Sequence, residues 1–381
     1  MDKHKAFFVN LDALRWFAAL GVITAHIAGW LQWPATELNK WIRIIITLDG
    51  SSGKAGVSFF FTLSGFLITY LMFEERRLTS AFHVGNFYLR RVLRIWPLYF
   101  LTLFVGFVLS PFIFSVTETV ADWKLYALFL TNFDNLYNGF PTNGILGVQW
   151  SVAVEEQFYL FWPWVFLFFG IGARFPWVCF VTIAASIAFH FFDGSQFHTL
   201  SAMNQLASGA LLAYLAFHHQ PKLDLFFARI SKTWTCLIYV AGVLLILSDY
   251  RVTRAFPAFS RIDDFLQSLF FVFVIAEQNY SSTSFFKLGS IRVFNALGKI
   301  SYGLYLLHMV AVFSVLRLNQ STPLPVVVNA ALVLVLTVLL AAISYHFLER
   351  PFLHLKDRIK MRTAAGNLPS RAVGKNRIAG S

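Results

Sequence analysis

Two ionisable residues stand inside one apolar run, Leu11 to Leu31 (LDALRWFAALGVITAHIAGWL): Arg15 and His26. A guanidinium can hold the anionic head of a substrate, and an imidazole can take a proton from a hydroxyl or carry a transferred group. Eleven helical steps turn through about 1100°, three turns plus about 20°, so the two share a face and lie roughly 16 Å apart along the axis. Charged groups inside a membrane-length segment are costly, which makes each a functional candidate. The same residues also fit plainer roles. Arg15 could snorkel and pair with Asp12, and His26 could be a hydrogen-bond partner between helices.

Three further stretches carry polar groups into apolar surroundings. FYLRRVLRIWPLY places Arg90, Arg91 and Arg94 on one broad helix face, a fork-shaped phosphate clamp or an ordinary positive cluster at a membrane surface. QWSVAVEEQFYL holds Glu155 and Glu156. One of them could align and charge-match an imidazole, or both could be acidic residues favoured at a helix start. VSFFFTLSGFLITYL and GKISYGLYLLH are rich in small residues (Ser64, Gly65, Ser301, Gly303) that let helices approach, and the second ends on His308, a second polar partner or a structural histidine. No GxSxG, GxGxxG or P-loop is present. His219 and Asp224 have the HxxxxD spacing of glycerolipid acyltransferases, a short match in a small loop that we attribute to chance. Cys179 and Cys236 both fall in apolar segments and imply neither a disulfide framework nor a metal site.

The elements that must position these residues are membrane helices. The 381 residues are 57% hydrophobic and only 13% charged, with mean hydropathy +0.62, outside the range of soluble domains. The net charge of +12 reflects basic residues between apolar runs and does not point to nucleic acid. We expect an all-α polytopic bundle of about ten spans, near 12–31, 55–75, 95–115, 152–171, 177–193, 199–218, 233–249, 264–278, 300–317 and 325–347. Trp123 to Phe133 is too short to cross and reads as interfacial or re-entrant. Met1 to Asn10 has the look of a signal-peptide n-region, but Arg15 interrupts the apolar segment after it, so a retained first span is expected. With the N-terminus in the cytoplasm, twenty-two Lys and Arg outside the spans fall inside and eight outside, which favours both termini cytoplasmic. Residues 1–355 form one integral-membrane domain. Within Leu348 to Arg362 an amphipathic piece is expected at the inner surface, and the basic tail 356–381 is expected to be largely disordered, with no second soluble domain. No strong internal repeat supports a transporter of two halves, although a proton-coupled transporter of an anionic solute would also bury Arg, His and Glu.

Together these residues resemble the acyltransferase 3 family of multi-pass membrane acyltransferases. The Arg, ten residues, His pattern is met at Arg15 and His26, and a second-span signature at Phe60, Ser64, Gly65 and Phe66. The Arg-rich motif is met at Arg90, Arg91, Arg94, Pro97 and Tyr99. QWSVAVEEQFYL resembles WSLSVEEQFYL with Ala153 where Ser is usual, and GKISYGLYLLH and SYHFLERPF resemble the last two motifs. The resemblance implies an O-acyltransferase with acyl-CoA, acetyl-CoA first, as co-substrate and no permanently bound cofactor or metal. Its acceptor would be a hydroxyl of a saccharide, such as a surface polysaccharide or its lipid-linked precursor, or of a natural product such as a macrolide. It implies His26, Arg15 and Glu155 as catalytic residues, and Arg90, Arg91, Arg94, Ser64, Trp150, Glu156, Tyr302 and His308 as substrate- or donor-binding. It further implies a multi-pass protein of the bacterial inner membrane in contact with lipid, with a homo-oligomer left open. Many relatives carry an appended extracytoplasmic domain. Its absence here implies direct transfer to the final acceptor.

Overall fold

The computed structural model describes residues 8–31, 51–170, 172–256, 259 and 262–355. The tail 356–381 and the basic residues expected near 40–43 and 251–261 lie outside the residues whose side chains are described. Among the described residues every regular element is helical. In chain order they are α1 (Val9–Trp30), α2 (Ser51–Thr79), α3 (Val84–Phe104), α4 (Trp123–Ala127), α5 (Thr131–Tyr137), α6 (Gln149–Phe169), α7 (Arg174–Asp193), α8 (Thr199–His218), α9 (Gln220–Arg229), α10 (Lys232–Ala255), α11 (Asp263–Tyr280), α12 (Arg292–Lys299), α13 (Ser301–Ser321) and α14 (Val326–Ser344).

All ten expected spans fall on helices, but fewer have the length and apolarity to cross. Among the described residues seven helices do, and an eighth if α9 and α10, bent by 98°, form one broken span. The helix α6 is diluted by Glu155, Glu156 and Gln157, and α11 carries Asp263, Asp264 and Glu277. The third helix starts at Val84, earlier than expected, and continues past Phe104 through a π-helical turn (Val105–Leu109) to Ile113. The last runs to Leu355 through a second π-turn (Tyr345–Glu349), so Leu348 to Leu355 extend a span. Trp123 to Phe133 forms α4 and the start of α5.

A close seam joins α2 to α8, backbone against backbone. A Cβ built on Gly65 would lie 1.9 Å from the Leu206 carbonyl oxygen, and one on Gly209 would lie 1.9 Å from that of Thr62. Each helix supplies a glycine to the other's carbonyl, the close approach that small residues permit between membrane helices. Ser64, next to Gly65, is thereby fixed toward α6.

The helix α6 is held by side chains on three sides. Gln149 Nε2 donates to Thr102 Oγ1 of α3 (2.8 Å), Trp162 Nε1 donates to Thr69 Oγ1 of α2 (2.8 Å), and Gln157 Nε2 donates to the Phe129 carbonyl (2.8 Å). The long connection from α3 to α6 is clasped by Glu118. Its carboxylate accepts backbone N–H bonds from Thr119, Val120, Ala121 and Thr142 (2.8–3.1 Å) and from Asn143 (2.7 Å). Burial pushes this carboxyl up, but the backbone donors outweigh it and hold Glu118 below the usual carboxylate range. Asn143 Nδ2 donates to the Gly106 carbonyl in the π-turn (2.8 Å), tying the connection to α3.

Candidate active site

Two cavities lie side by side between α1, α2, α6 and α13. The first, of about 270 Å³, is lined by Arg15, Arg91, Arg94, Glu155, Tyr159, Ser64 and Tyr302 among others. The second, of about 380 Å³, is lined by His26, Lys54, Trp150, Phe197, Gln205 and Asp264 among others. Val57, Phe61 and Tyr305 line both and form the wall between them. Arg15 and His26 thus share a helix stripe but open into different, adjoining chambers. The antiparallel course of α6 matches this division: Trp150 faces the histidine chamber, and Glu155, a turn and a half further on, faces the arginine chamber.

In the first cavity Arg15 donates to Asp12 Oδ1 (2.8 Å), so the pairing open to it from sequence is made while the guanidinium still lines the chamber. Arg91 lies over the Phe87 ring (5.8 Å), and its buried Nε has no hydrogen-bond partner among the described residues. Arg94 completes a set of three guanidiniums on one chamber. The third arginine of the clamp expected from sequence, Arg90, points elsewhere: it is ion-paired with Glu75 and does not line the cavity. The Tyr159 hydroxyl donates to Glu155 Oε2 (3.0 Å), so Ser64, hydrogen-bonded to the same hydroxyl, is the donor in a chain from Ser64 to Tyr159 to Glu155. Tyr302 donates to the Ile95 carbonyl (2.8 Å), joining α13 to α3.

In the second cavity His26 Nδ1 lies 3.1 Å from the Val22 carbonyl oxygen and 3.0 Å from Nε2 of His308. The rings are 4.9 Å apart and tilted by 39°. His308 is fully buried, and its Nδ1 lies 2.6 Å from the Tyr305 carbonyl oxygen. A carboxylate partner for His26 was expected from Glu155 or Glu156. The structure corrects this: Glu155 is engaged with Tyr159, and Glu156 accepts from Trp96 Nε1 (3.2 Å) on the side facing α3. The reason is the 100° step between adjacent helical residues, which sends one carboxylate into the arginine chamber and the other to a neighbouring helix. Trp150 packs edge-on to Phe197 (4.8 Å) and, with Phe140 from the α3–α6 connection, makes an aromatic wall. Opposite, Lys54 bridges Asp263 (2.5 Å) and Asp264 (3.1 Å).

The site also holds residues not singled out from sequence. Tyr159 and Tyr305 sit four residues after Glu155 and three before His308, spacings that could have marked them. The Tyr305 hydroxyl is hydrogen-bonded to Ser151 (2.6 Å) and donates to the Val148 carbonyl (3.2 Å), which fixes the dividing wall. Asp263 and Asp264, adjacent carboxylates in an apolar span, carried a signal of the kind used for Glu155.

Residues 8–346 match the protein family described as an acyltransferase domain, the acyltransferase 3 family. The O-acetyltransferase OatA of Staphylococcus aureus strain NCTC 8325 / PS 47 is 28% identical over 371 residues, covering 91% of this chain and 57% of the relative. The strain COL and strain MRSA252 proteins of the same name give the same values. The chain therefore spans little more than half the length of the curated relatives it matches. No solved structure matches the chain.

Proposed function

Because the chain belongs to the acyltransferase 3 family, we propose that it is an O-acyltransferase moving an acetyl group from acetyl-CoA to a hydroxyl of a saccharide, such as a surface polysaccharide or its lipid-linked precursor. The observation that carries this reading is the pair of adjoining chambers, one with three guanidiniums and one with a histidine, sharing a wall of three residues. Arg15, Arg91 and Arg94 would hold the phosphates of the donor. The thioester would meet the acceptor at the wall. His26 takes the proton of the acceptor hydroxyl as its oxygen attacks the thioester carbonyl. The carbon–sulfur bond then breaks, and the departing CoA thiolate takes the proton back from the imidazolium. Glu155, through Tyr159 and Ser64, would shape the donor chamber, and Trp150 the acceptor chamber. The name O-acetyltransferase borne by the staphylococcal relatives supports acetyl as the group moved.

In this reading the protein lies in a bacterial cytoplasmic membrane with both termini inside and about ten crossings, α6 and α11 counted among them. The donor enters from the cytoplasm at the Arg15 end and the acceptor reaches the His26 end.

The test is a transfer assay in detergent with labelled acetyl-CoA and solubilised bacterial surface polysaccharide or p-nitrophenyl hexopyranosides as acceptors. Label should move to the acceptor, and His26→Ala should lower turnover by about 10²- to 10⁴-fold while acetyl-CoA still binds. Turnover by His26→Ala equal to that of the parent would overturn the assignment. Label that stays on CoA with every acceptor would favour a transporter.

A further inference from the structure

We propose that His308 is the positioning residue for His26: a neutral second imidazole, in the place where a carboxylate is often found, that fixes which nitrogen of His26 meets the acceptor hydroxyl and shares the charge that forms there. The inference rests on the reading of His26 as the base.

The assignment comes from donor and acceptor accounting. A neutral imidazole has one N–H and one lone pair. His308 Nδ1 lies against a carbonyl oxygen, that of Tyr305 at 2.6 Å, which can only accept, so the His308 proton is on Nδ1 and its Nε2 is an acceptor. His26 Nδ1 likewise lies against the Val22 carbonyl oxygen (3.1 Å) and against His308 Nε2 (3.0 Å). Both partners accept, so the His26 proton is on Nδ1, shared between them. The lone pair of His26 is left on Nε2, the nitrogen turned away from His308. His26 lines the second cavity and His308 does not, so the free nitrogen belongs to the ring that faces the chamber. Every proton in the chain, from Tyr305 through His308 to His26, has one place that satisfies all the contacts.

The energetics favour an imidazole over a carboxylate at this position. His308 is fully buried in α13. A carboxylate there would have to be desolvated in every state of the cycle, including those in which His26 is neutral and gives it no counter-charge. A neutral ring costs less. When His26 takes the acceptor proton, its Nδ1–H bond to His308 becomes charge-assisted and strengthens. That gain exists in the transition state and not in the resting state, so it acts on kcat.

The experiment compares His308→Leu and His308→Gln with the parent in the labelled acetyl-CoA assay, with acetyl-CoA binding and thermal unfolding measured on each protein. The leucine variant keeps the volume and removes the acceptor. The glutamine variant can offer its amide oxygen to His26 Nδ1–H. The expected result is a kcat about ten- to hundredfold lower for His308→Leu, with KM for acetyl-CoA within about twofold of the parent, and recovery of most of the loss in His308→Gln. An unchanged kcat in His308→Leu would show that the Val22 carbonyl alone suffices and would overturn the proposal. So would equal loss in both variants when both bind acetyl-CoA and unfold like the parent. The two readings fail separately: turnover indifferent to His26→Ala removes the base itself, whereas turnover that needs His26 but ignores His308 removes the dyad alone.

Discussion

The arginine chamber and the histidine chamber share three residues, one helix stripe and a similar size, yet they are built on opposite principles. The first concentrates guanidiniums that have room for more partners: Arg91 Nε has none among the described residues, and Arg15 spends one edge on Asp12. The second holds its ring closely: His26 Nδ1 lies within hydrogen-bond distance of the Val22 carbonyl and of His308, whose own Nδ1 lies against the Tyr305 carbonyl. If the first chamber admits and releases acetyl-CoA as proposed, unsatisfied donors serve it. A chamber that must hold a single reacting atom benefits from having none to spare.

The largest effects should divide along this line. His26→Ala should remove turnover and leave donor binding, whereas Arg91→Ala should weaken acetyl-CoA binding about ten- to hundredfold by titration calorimetry in detergent. Arg90→Ala should change that affinity only a few-fold, because its guanidinium is spent on Glu75. A stronger effect at Arg90 than at Arg91 would break the division. Next comes the helix that serves both chambers, α2, which supplies Val57 and Phe61 to each. Gly209→Ala puts a methyl group against the Thr62 carbonyl. It should destabilise the protein by about 1–3 kcal/mol, read as a lower thermal midpoint, and impair donor and acceptor binding together.

The smallest effect should be one-sided. The Glu118 clasp holds the connection that brings Phe140 and Gly147 to the histidine chamber alone. Glu118→Gln should raise KM for the acceptor a few-fold and leave that for acetyl-CoA unchanged. The sign of its pH dependence is set by a carboxyl held below its ordinary value of 4.5. Its contribution is complete above that value and is lost as pH falls through the lower folded value, so parent and variant should converge in acid.

Much of this was legible in the chain, and what was not has physical causes. Arg15 and His26 could be placed on one stripe because both lie on a single helix, where spacing dictates the face. That the stripe opens into two chambers could not be read, because Tyr305 and Phe61, which divide it, come from other helices. His308 was visible as a polar residue in an apolar span, but its partner is 282 positions away, and periodicity says which side of a helix is polar, never which helix it meets. The third helix begins at Val84, well before its arginines, and Arg90 pairs with Glu75 across the preceding turn, where composition alone reads a charged loop. Likewise Lys54, just outside the expected span 55–75, lies on α2 and bridges the two carboxylates at the start of α11.

The glycine-to-carbonyl seam between α2 and α8 also constrains how this scaffold can diversify. Two backbones in contact cannot be drawn closer or slid by a turn without collision, so the floor under Ser64 and Val57 is rigid. A descendant that came to handle longer acyl chains would have to gain its room from the opposite bank, by trimming α13 or the start of α6. Differences in chain-length preference among related proteins should therefore map to residues such as Tyr305 and Ser151 and leave Gly65 and Gly209 untouched.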